Sequence, residues 1–282
     1  MNRKIGGHVS TAGGPLNAIT NTQAIDGNCM QIFAGSPRSW IRAVIDDDIA
    51  SEFRNKVKKL NLSPVYIHAL YLINLTSSNN LTLEKSLSAL KSELQNSVLI
   101  GSAGVILHIG SYTDRSFDIV ANDLINRINS IIEEVPDSIL ILENSAGQKG
   151  KIGTLEELGF IVNKLDNHRI KICLDSAHLF ADKYNLASDD GIKMLDEDLE
   201  KFNLIKYLDC LHVNDSRSGF GSHRDIHENL GKGEIGISGL KSFVNMPLLK
   251  QLPIILEVPG DPKSKIKGPN KENITIASSL VS

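Results

Sequence analysis

Residues 139–178 decide the fold, with the sequence ILILENSAGQKGKIGTLEELGFIVNKLDNHRIKICLDSAH. Two short apolar runs, Ile139 to Glu143 and Ile170 to Asp175, are rich in residues that favour β-strands, and each ends on a carboxylate. Between them, a Thr-x-x-Glu capping box followed by apolar residues at helical spacing predicts a helix over Leu155 to Leu165. A strand, a helix and a second strand in this order predict a βαβ unit with parallel strands.

The same pattern recurs along the chain, where eight apolar runs have ends 25 to 45 residues apart. The runs are Ile5 to His8, Met30 to Phe33, Val65 to His68, Val105 to His108, Ile139 to Glu143, Ile170 to Asp175, Tyr207 to His212 and Ile254 to Glu257. Helices are also predicted over 83–94, with Thr82 as N-cap, and over 116–132. Eight such units favour one α/β domain over residues 1–282, a closed (β/α)8 TIM barrel, and a doubly wound α/β sheet is the alternative.

Composition places the chain among ordinary globular proteins, since 41% of its 282 residues are hydrophobic and 22% are charged. Three scattered cysteines argue against a disulfide framework or a cysteine zinc site. Because we find neither a signal peptide nor a long apolar run, we expect a cytoplasmic protein with no membrane segment. The net charge of -3 by itself argues mildly against a nucleic-acid partner.

Seven of the eight runs end in His, Glu or Asp, and in a TIM barrel all strand ends point to the face that holds the active site. Six candidate metal ligands close these runs: His68, His108, Glu143, Asp175, His212 and Glu257. Three more are His178, which follows Asp175 by three residues, and Asp225 and His227, which lie two residues apart on the same side of an extended segment. A lone histidine at a strand end is more often a packing residue, but nine groups together predict metal binding. Nitrogen and oxygen ligands without a thiolate suit Zn²⁺ and tolerate Mn²⁺ or Fe²⁺. Since one site uses three or four protein ligands, nine predict two or three metal ions.

Other chemically suggestive residues carry weaker signals. His8 ends the first run, where a structural role and a substrate contact are equally compatible with the sequence, whereas His168 lies in a polar turn and His223 in a polar loop. Residues 231–236 match the Gly-x-Gly-x-x-Gly pattern, but they do not open a βαβ unit. We therefore expect a flexible loop there and no nucleotide cofactor.

Eight segments resemble the endonuclease IV family of apurinic/apyrimidinic (AP) endonucleases. They are GGHVS at 6–10, YIHALYLINL at 66–75, LHIGS at 107–111, LENSAGQ at 142–148, CLDSAH at 173–178, LHVNDS at 211–216, DIHENLGKG at 225–233 and LEVPG at 256–260. The segments follow the order of the family and extend over essentially the whole chain.

The resemblance implies three zinc ions on a TIM barrel. It groups their ligands as His68, His108 and Glu143 for one ion, Glu143 as a bridge with Asp175, His212 and Glu257 for a second, and His178, Asp225 and His227 for the third. The implied reaction is hydrolysis of the phosphodiester 5′ to an abasic site, with Glu143 and Glu257 as catalytic residues. A monomer acting on duplex DNA would carry it out.

The resemblance also implies DNA contacts. Tyr71 and Leu72 match the segment that the family inserts into the minor groove, and Arg38 and Trp40 match another DNA-contacting loop. For Trp40, packing in the core is an equally good interpretation.

The charge distribution reconciles a DNA substrate with the acidic total. The predicted rim loops 34–42, 144–153 and 258–271 have a net charge of +7, and the acidic rim loops 176–190 and 213–236 reduce it to about +4. The face that holds the strand ends is therefore expected to be basic.

Three residues depart from the family pattern. Leu70 and Ile109 stand where the family has proline, and we expect both changes to loosen the chain after a ligand. Ile226 stands where the family has an arginine, whose role Arg224 could take over. Two other functions stay open at this point: a xylose-isomerase-like sugar isomerase or epimerase, and a protein that binds abasic DNA without cutting it.

Overall fold

The computed structural model describes residues 3–41, 44–113, 115–264 and 267–282. Its strands are β1 Ile5–His8, β2 Cys29–Ile32, β3 Val65–His68, β4 Gly104–Leu107, β5 Leu140–Glu143, β6 Ile170–Asp175, β7 Leu208–His212, β8 Asp215–Ser216, β9 His227–Glu228 and β10 Ile254–Leu256. Strands β1 to β7 pair in parallel in sequence order, and β10 pairs with both β7 and β1. This closure confirms the TIM barrel and excludes the open sheet.

Helices connect the strands on the outside of the barrel. They are α1 Leu16–Ala24, α2 Asp47–Leu60, α3 Asn80–Ile100, α4 Phe117–Glu134, α5 Leu155–Leu165, α6 Ser176–Asp182, α7 Asp189–Lys201, α8 Gly236–Val244 and α9 Lys271–Leu280, with a 3₁₀ turn at Ile205–Tyr207. The predicted capping box at α5 is present, because Thr154 and Glu157 exchange hydrogen bonds between side chain and backbone. The N-cap prediction for Thr82 was wrong: the Asn79 side chain accepts a hydrogen bond from the Thr82 N–H, so α3 begins earlier. Among the described residues, no helix combines the length and apolarity that crossing a bilayer requires.

A layer of buried side chains fills the barrel interior beneath the strand ends. One residue from each of seven strands contributes to it: Cys29, Tyr66, Ile106, Ile141, Cys173, Cys210 and Ile255. β1 contributes Gly6, where a Cβ atom would lie 1.9 Å from the carbonyl oxygen of Cys29. Because side chains alternate along a strand, the residue two positions after each of these also points into the barrel, at the carboxyl end of its strand.

The connection between β7 and α8 contains the antiparallel pair β8 and β9, which the sequence analysis did not predict. In this pair, Asp215 lies opposite Glu228 and Ser216 lies opposite His227. This hairpin brings residues from the middle of a long loop back to the mouth of the barrel.

Candidate metal centre

Strand register explains why distant residues meet at one place. The residues two positions after the seven side chains of the interior layer are a glutamine and six candidate ligands. His8 likewise lies two positions after Gly6. These residues are His8, Gln31, His68, His108, Glu143, Asp175, His212 and Glu257. Alternation therefore turns all eight side chains toward the barrel axis at its carboxyl end.

Glu143 is the centre of the cluster and is fully buried. Its Oε2 lies 3.4 Å from Nε2 of both His68 and His108. Its Oε1 lies 3.0 Å from Nδ1 of His212 and 3.5 Å from Nδ1 of His178. One carboxylate thus faces histidines on two sides, which is the arrangement that a bridging ligand requires.

His212 joins this carboxylate to two others. Its Nδ1 lies 3.2 Å from Glu257 Oε2 and 3.9 Å from Asp175 Oδ2. Ligand atoms of Glu143, Asp175, His212 and Glu257 all lie within 4.8 Å of one another, as do those of His68, His108 and Glu143. Each set matches a group that the family resemblance implied.

A third group of ligand atoms within 4.8 Å of one another comprises Asp175, His178 and His227. Asp225 lies beside it, with Oδ1 3.0 Å from His178 Nε2 and 3.3 Å from His227 Nε2. The structure thus brings all nine candidate ligands together. It also places Asp175 in the third group, whereas the resemblance had assigned Asp175 to the second group alone.

The hydrogen bonds around the histidines suit metal ligation. Nδ1 of His68 and Nδ1 of His178 lie 2.7 and 2.9 Å from the carbonyl oxygens of Ala69 and Asn144. An Nδ1–H that donates to a carbonyl leaves a lone pair on Nε2, which in both residues faces a carboxylate. Buried atoms of this centre, Glu143 Oε2 and His227 Nε2, have no hydrogen-bond partner within the described part of the chain. Unpaired acceptor atoms of this kind, at the meeting point of nitrogen and oxygen donors, fit divalent metal ions.

Gln31 is a buried partner of the centre that the sequence analysis missed. Its Oε1 lies 2.7 Å from His212 Nε2, so that His212 donates from Nε2 and presents Nδ1 to the carboxylates. Its Nε2 donates to Glu257 Oε1 at 2.6 Å and lies 2.8 Å from His8 Nδ1. The signal was available, because Gln31 is a polar residue two positions after Cys29 inside an otherwise apolar strand.

Two asparagines next to candidate ligands were also missed. Asn144 Oδ1 accepts the backbone N–H of Asp175 at 2.7 Å. Asn214 donates to Asp175 Oδ2 at 2.7 Å and accepts the backbone N–H of Glu257, also at 2.7 Å. Both amides tie neighbouring strand ends together, and each follows a candidate ligand by one or two positions.

The charges of the centre are strongly coupled. Burial favours the neutral forms, yet the histidines His108 and His212 outweigh it and hold the pKa of Glu143 well below its usual range. Burial likewise opposes protonation of His212, but Glu257 and Glu143 raise its pKa to about 10. Without metal, His212 therefore carries a proton that a metal ion bound beside it must displace.

Two cavities flank Tyr71 at the mouth of the barrel. One of about 850 Å³ is lined by His8, His227 and Glu257, and one of about 190 Å³ is lined by His108, His178 and Asp225. Tyr71 lines both, is 52% exposed, and packs edge-on against Phe33 and His68, with ring centroids 5.4 and 5.5 Å away. A side chain placed in this way can touch a substrate that enters either cavity.

The other predicted DNA-contacting residues, Arg38, Trp40 and Leu72, do not line these two cavities. Leu72 is half-buried and Arg38 is exposed. Trp40 packs against the main hydrophobic core and lines a cavity of about 220 Å³ with Glu84 and Ser88 of α3. Core packing therefore accounts for the position of Trp40, and its contact with DNA stays a prediction.

Basic side chains surround the mouth of the barrel. Arg115, Lys149 and Lys151 line a cavity of about 540 Å³, and Lys267 lines the cavity of about 850 Å³. The rim residues Arg42 and Lys265, which contribute to the predicted basic charge, lie outside the described residues.

The departures from the family pattern differ in their surroundings. Leu70 and Ile109 are buried in the core, which restrains the chain that we had expected to be loosened. Ile226 is 42% exposed, and its neighbour Arg224 is exposed as well. His168 is exposed, as its polar turn indicated.

Comparison with known proteins identifies the family. The profile described as xylose isomerase-like TIM barrel matches residues 19–279. A protein called probable endonuclease 4 from Halothermothrix orenii is 38% identical over 259 residues, which are 91% of this chain and 93% of that protein. The chain belongs to the endonuclease IV family. Another probable endonuclease 4, from Haloarcula marismortui, is 33% identical over 260 residues, which are 91% of this chain and 92% of that protein.

Solved structures agree with this assignment. The crystal structure of endonuclease IV from Thermus thermophilus has a TM-score of 0.86 and 31% identity, with 98% of both chains covered. A 3-keto-D-glucoside 4-epimerase from E. coli has a TM-score of 0.68 over 99% of both chains, but only 14% identity. The epimerase therefore shares the barrel, whereas the endonuclease IV family shares both the barrel and the sequence.

Proposed function

We propose that this protein is a zinc-dependent AP endonuclease that hydrolyses the phosphodiester 5′ to abasic sites in duplex DNA and leaves a 3′-hydroxyl. Membership of the endonuclease IV family supports nuclease activity in DNA repair. The observation that carries the proposal is the convergence of eight nitrogen and oxygen ligands around the buried carboxylate of Glu143, with Asp225 beside them, at the mouth of a barrel.

The three groups of ligand atoms would hold three metal ions, and Glu143 and Asp175 each belong to two of the groups. Zinc suits these donors because they are imidazole and carboxylate with no thiolate. When bound, such ions supply Lewis acidity to a phosphate and lower the pKa of a water molecule.

The chain's own residues have separate tasks in this proposal. Glu143 is buried and fixes the geometry of the centre. Glu257 lines the cavity of about 850 Å³, where its carboxylate is accessible to substrate while Gln31 holds Oε1. In this proposal Glu257 orients the attacking water.

Substrate recognition in this proposal depends on residues around the two cavities. Tyr71 and Leu72 enter the duplex at the lesion, where extrusion of the nucleotide costs least because no base is stacked there. Arg115, Lys149, Lys151 and Lys267 provide positive charge for phosphates. We further propose that the enzyme acts as a monomer, without a nucleotide cofactor, in the compartment that holds the cell's DNA.

The test is an incision assay on a duplex with a single tetrahydrofuran abasic analogue, run with and without a chelator. We expect one cut 5′ to the analogue, a 3′-end that a polymerase extends, loss of cutting with chelator and recovery with Zn²⁺. Binding without incision would contradict the proposed catalysis. Neither binding nor incision, combined with epimerisation of a ketose, would replace it with a sugar-converting function.

A further inference from the structure

The glycine-rich segment 231–236 encloses a carboxylate of the protein itself. Asp215 is fully buried, and both of its oxygens accept hydrogen bonds from backbone N–H groups. The donors, at 2.9 to 3.3 Å, are the N–H groups of Ser216, Gly231, Gly233, Ile235 and Gly236. Since Gly236 begins α8, the helix dipole adds to the stabilisation of this charge. The segment that we expected to be flexible is therefore anchored.

The same carboxylate belongs to the hairpin that carries two candidate metal ligands. Asp215 lies in β8, whose Ser216 pairs with His227 of β9. The hairpin continues with the Arg217 N–H, which donates to the Ile226 carbonyl oxygen at 2.9 Å. Asp225 lies next to this bond. Asp215 thus connects the hairpin on one side to the start of α8 on the other.

We propose that Asp215 is a positioning residue that holds the β8–β9 hairpin in place, so that Asp225 and His227 reach His178 and complete the third metal group. The inference rests on the proposed function. Its physical basis is that five N–H groups converge on one carboxylate, and buried donors without an acceptor are costly. Loss of the carboxylate therefore opens the segment 231–236 and releases the hairpin.

The main variant is Asp215→Asn, which keeps the shape of the side chain but replaces one acceptor oxygen with an NH₂ group that faces N–H donors. The matched control is Asp209→Asn. Asp209 lies at the opposite end of β7 from the metal centre, where its carboxylate accepts a hydrogen bond from the Tyr66 hydroxyl at 3.0 Å. Both variants lose one acid, and only one of them touches the hairpin.

Metal retention is measured on the zinc-loaded, full-length proteins by titration with a chelator and elemental analysis. We expect Asp215→Asn to lose one metal equivalent at a chelator concentration about 10- to 100-fold lower than the wild type, and Asp209→Asn to match the wild type. Hydrogen exchange should show loss of protection at the amides of Gly231 and Gly233 in Asp215→Asn. Wild-type metal retention in that variant would overturn the inference.

A second pair of variants covers the case in which Asp215→Asn does not fold. A Cβ atom on Gly233 would lie 2.5 Å from Asp215 Oδ1 and 2.4 Å from the Ser216 carbonyl oxygen, whereas one on Gly219 would have no neighbour within 4 Å. We expect Gly233→Ala to release the same metal equivalent early and Gly219→Ala to retain it. Equal metal retention by Gly233→Ala and Gly219→Ala, or a wild-type protein that binds fewer than three ions, would refute the inference. A wild type that binds three ions but does not incise abasic duplex would refute the proposed function alone.

Discussion

Replacement of Tyr71 by alanine should weaken binding to abasic DNA without unfolding the protein. About half of the Tyr71 side chain is exposed between the two cavities, and the rest packs edge-on against Phe33 and His68. Stacking of an aromatic side chain on a base is worth about 1 to 3 kcal/mol, which corresponds to about a 5- to 150-fold increase in Kd. Each lost aromatic contact costs about 0.5 to 1.5 kcal/mol, so the free energy of unfolding falls by about 2 kcal/mol.

The assay is fluorescence anisotropy on a duplex that contains a tetrahydrofuran residue with a phosphorothioate 5′ linkage, which slows incision. Metal content is measured in parallel because Tyr71 touches His68. The matched control is Phe160→Ala on α5, since Phe160 is 40% exposed and has one edge-on contact, with Phe117 at 5.6 Å. By the same reasoning the control should lose about 1 kcal/mol of stability and keep the wild-type Kd. A Tyr71→Ala protein that binds within twofold of wild type, or a control that weakens equally, would refute the wedge assignment.

Four further predictions follow from the centre and its surroundings. Glu143→Gln removes the shared carboxylate, and a loss of about 4 kcal/mol of transition-state stabilisation lowers the incision rate by about 10³-fold. Turnover and metal content are measured together, and wild-type values of both would contradict this role of Glu143. Gln31→Leu frees the Nε2–H of His212 and should weaken metal affinity about 10- to 100-fold in a chelator titration, whereas an unchanged titration curve would exclude an orienting role. Burial raises the pKa of Glu93 to about 7, so the free energy of unfolding decreases as pH rises from about 4.5 to 7. Glu93→Gln should therefore stabilise the protein by about 3 kcal/mol at pH 8 and by little at pH 4. Equal urea midpoints for the variant and the wild type at pH 8 would contradict this. Ile226→Arg restores a phosphate-binding side chain and should steepen the dependence of log K on log salt by about 0.9, a change that anisotropy across a salt series would reveal or exclude.

Much of the centre was predictable because strand alternation is a local property. Residues such as His68 and Glu143 end apolar runs, so their inward direction follows from the period of two. Gln31 was missed because the second run was taken to end at Phe33. Its strand ends at Ile32, and counting from Cys29 places Gln31 at the same level as the ligands.

The anchored loop could not be predicted in the same way. Asp215 and the donors in segment 231–236 are separated by 16 to 21 residues, and β8 and β9 have two residues each. Strands this short leave no periodic pattern, and a glycine-rich segment has the same sequence whether it is free or folded around a carboxylate. The sharing of Asp175 between two groups is likewise a matter of tertiary distance, which sequence order does not contain.

Anomalous diffraction from crystals of the zinc-loaded protein tests the central claim most directly. Data collected at the zinc edge should show three peaks within coordination distance of the ligand groups, two of them bridged by Glu143. Zinc-soaked crystals without peaks at these side chains, or with His68, His212 and His227 turned away from the barrel axis, would contradict the metal centre on which the proposed function depends.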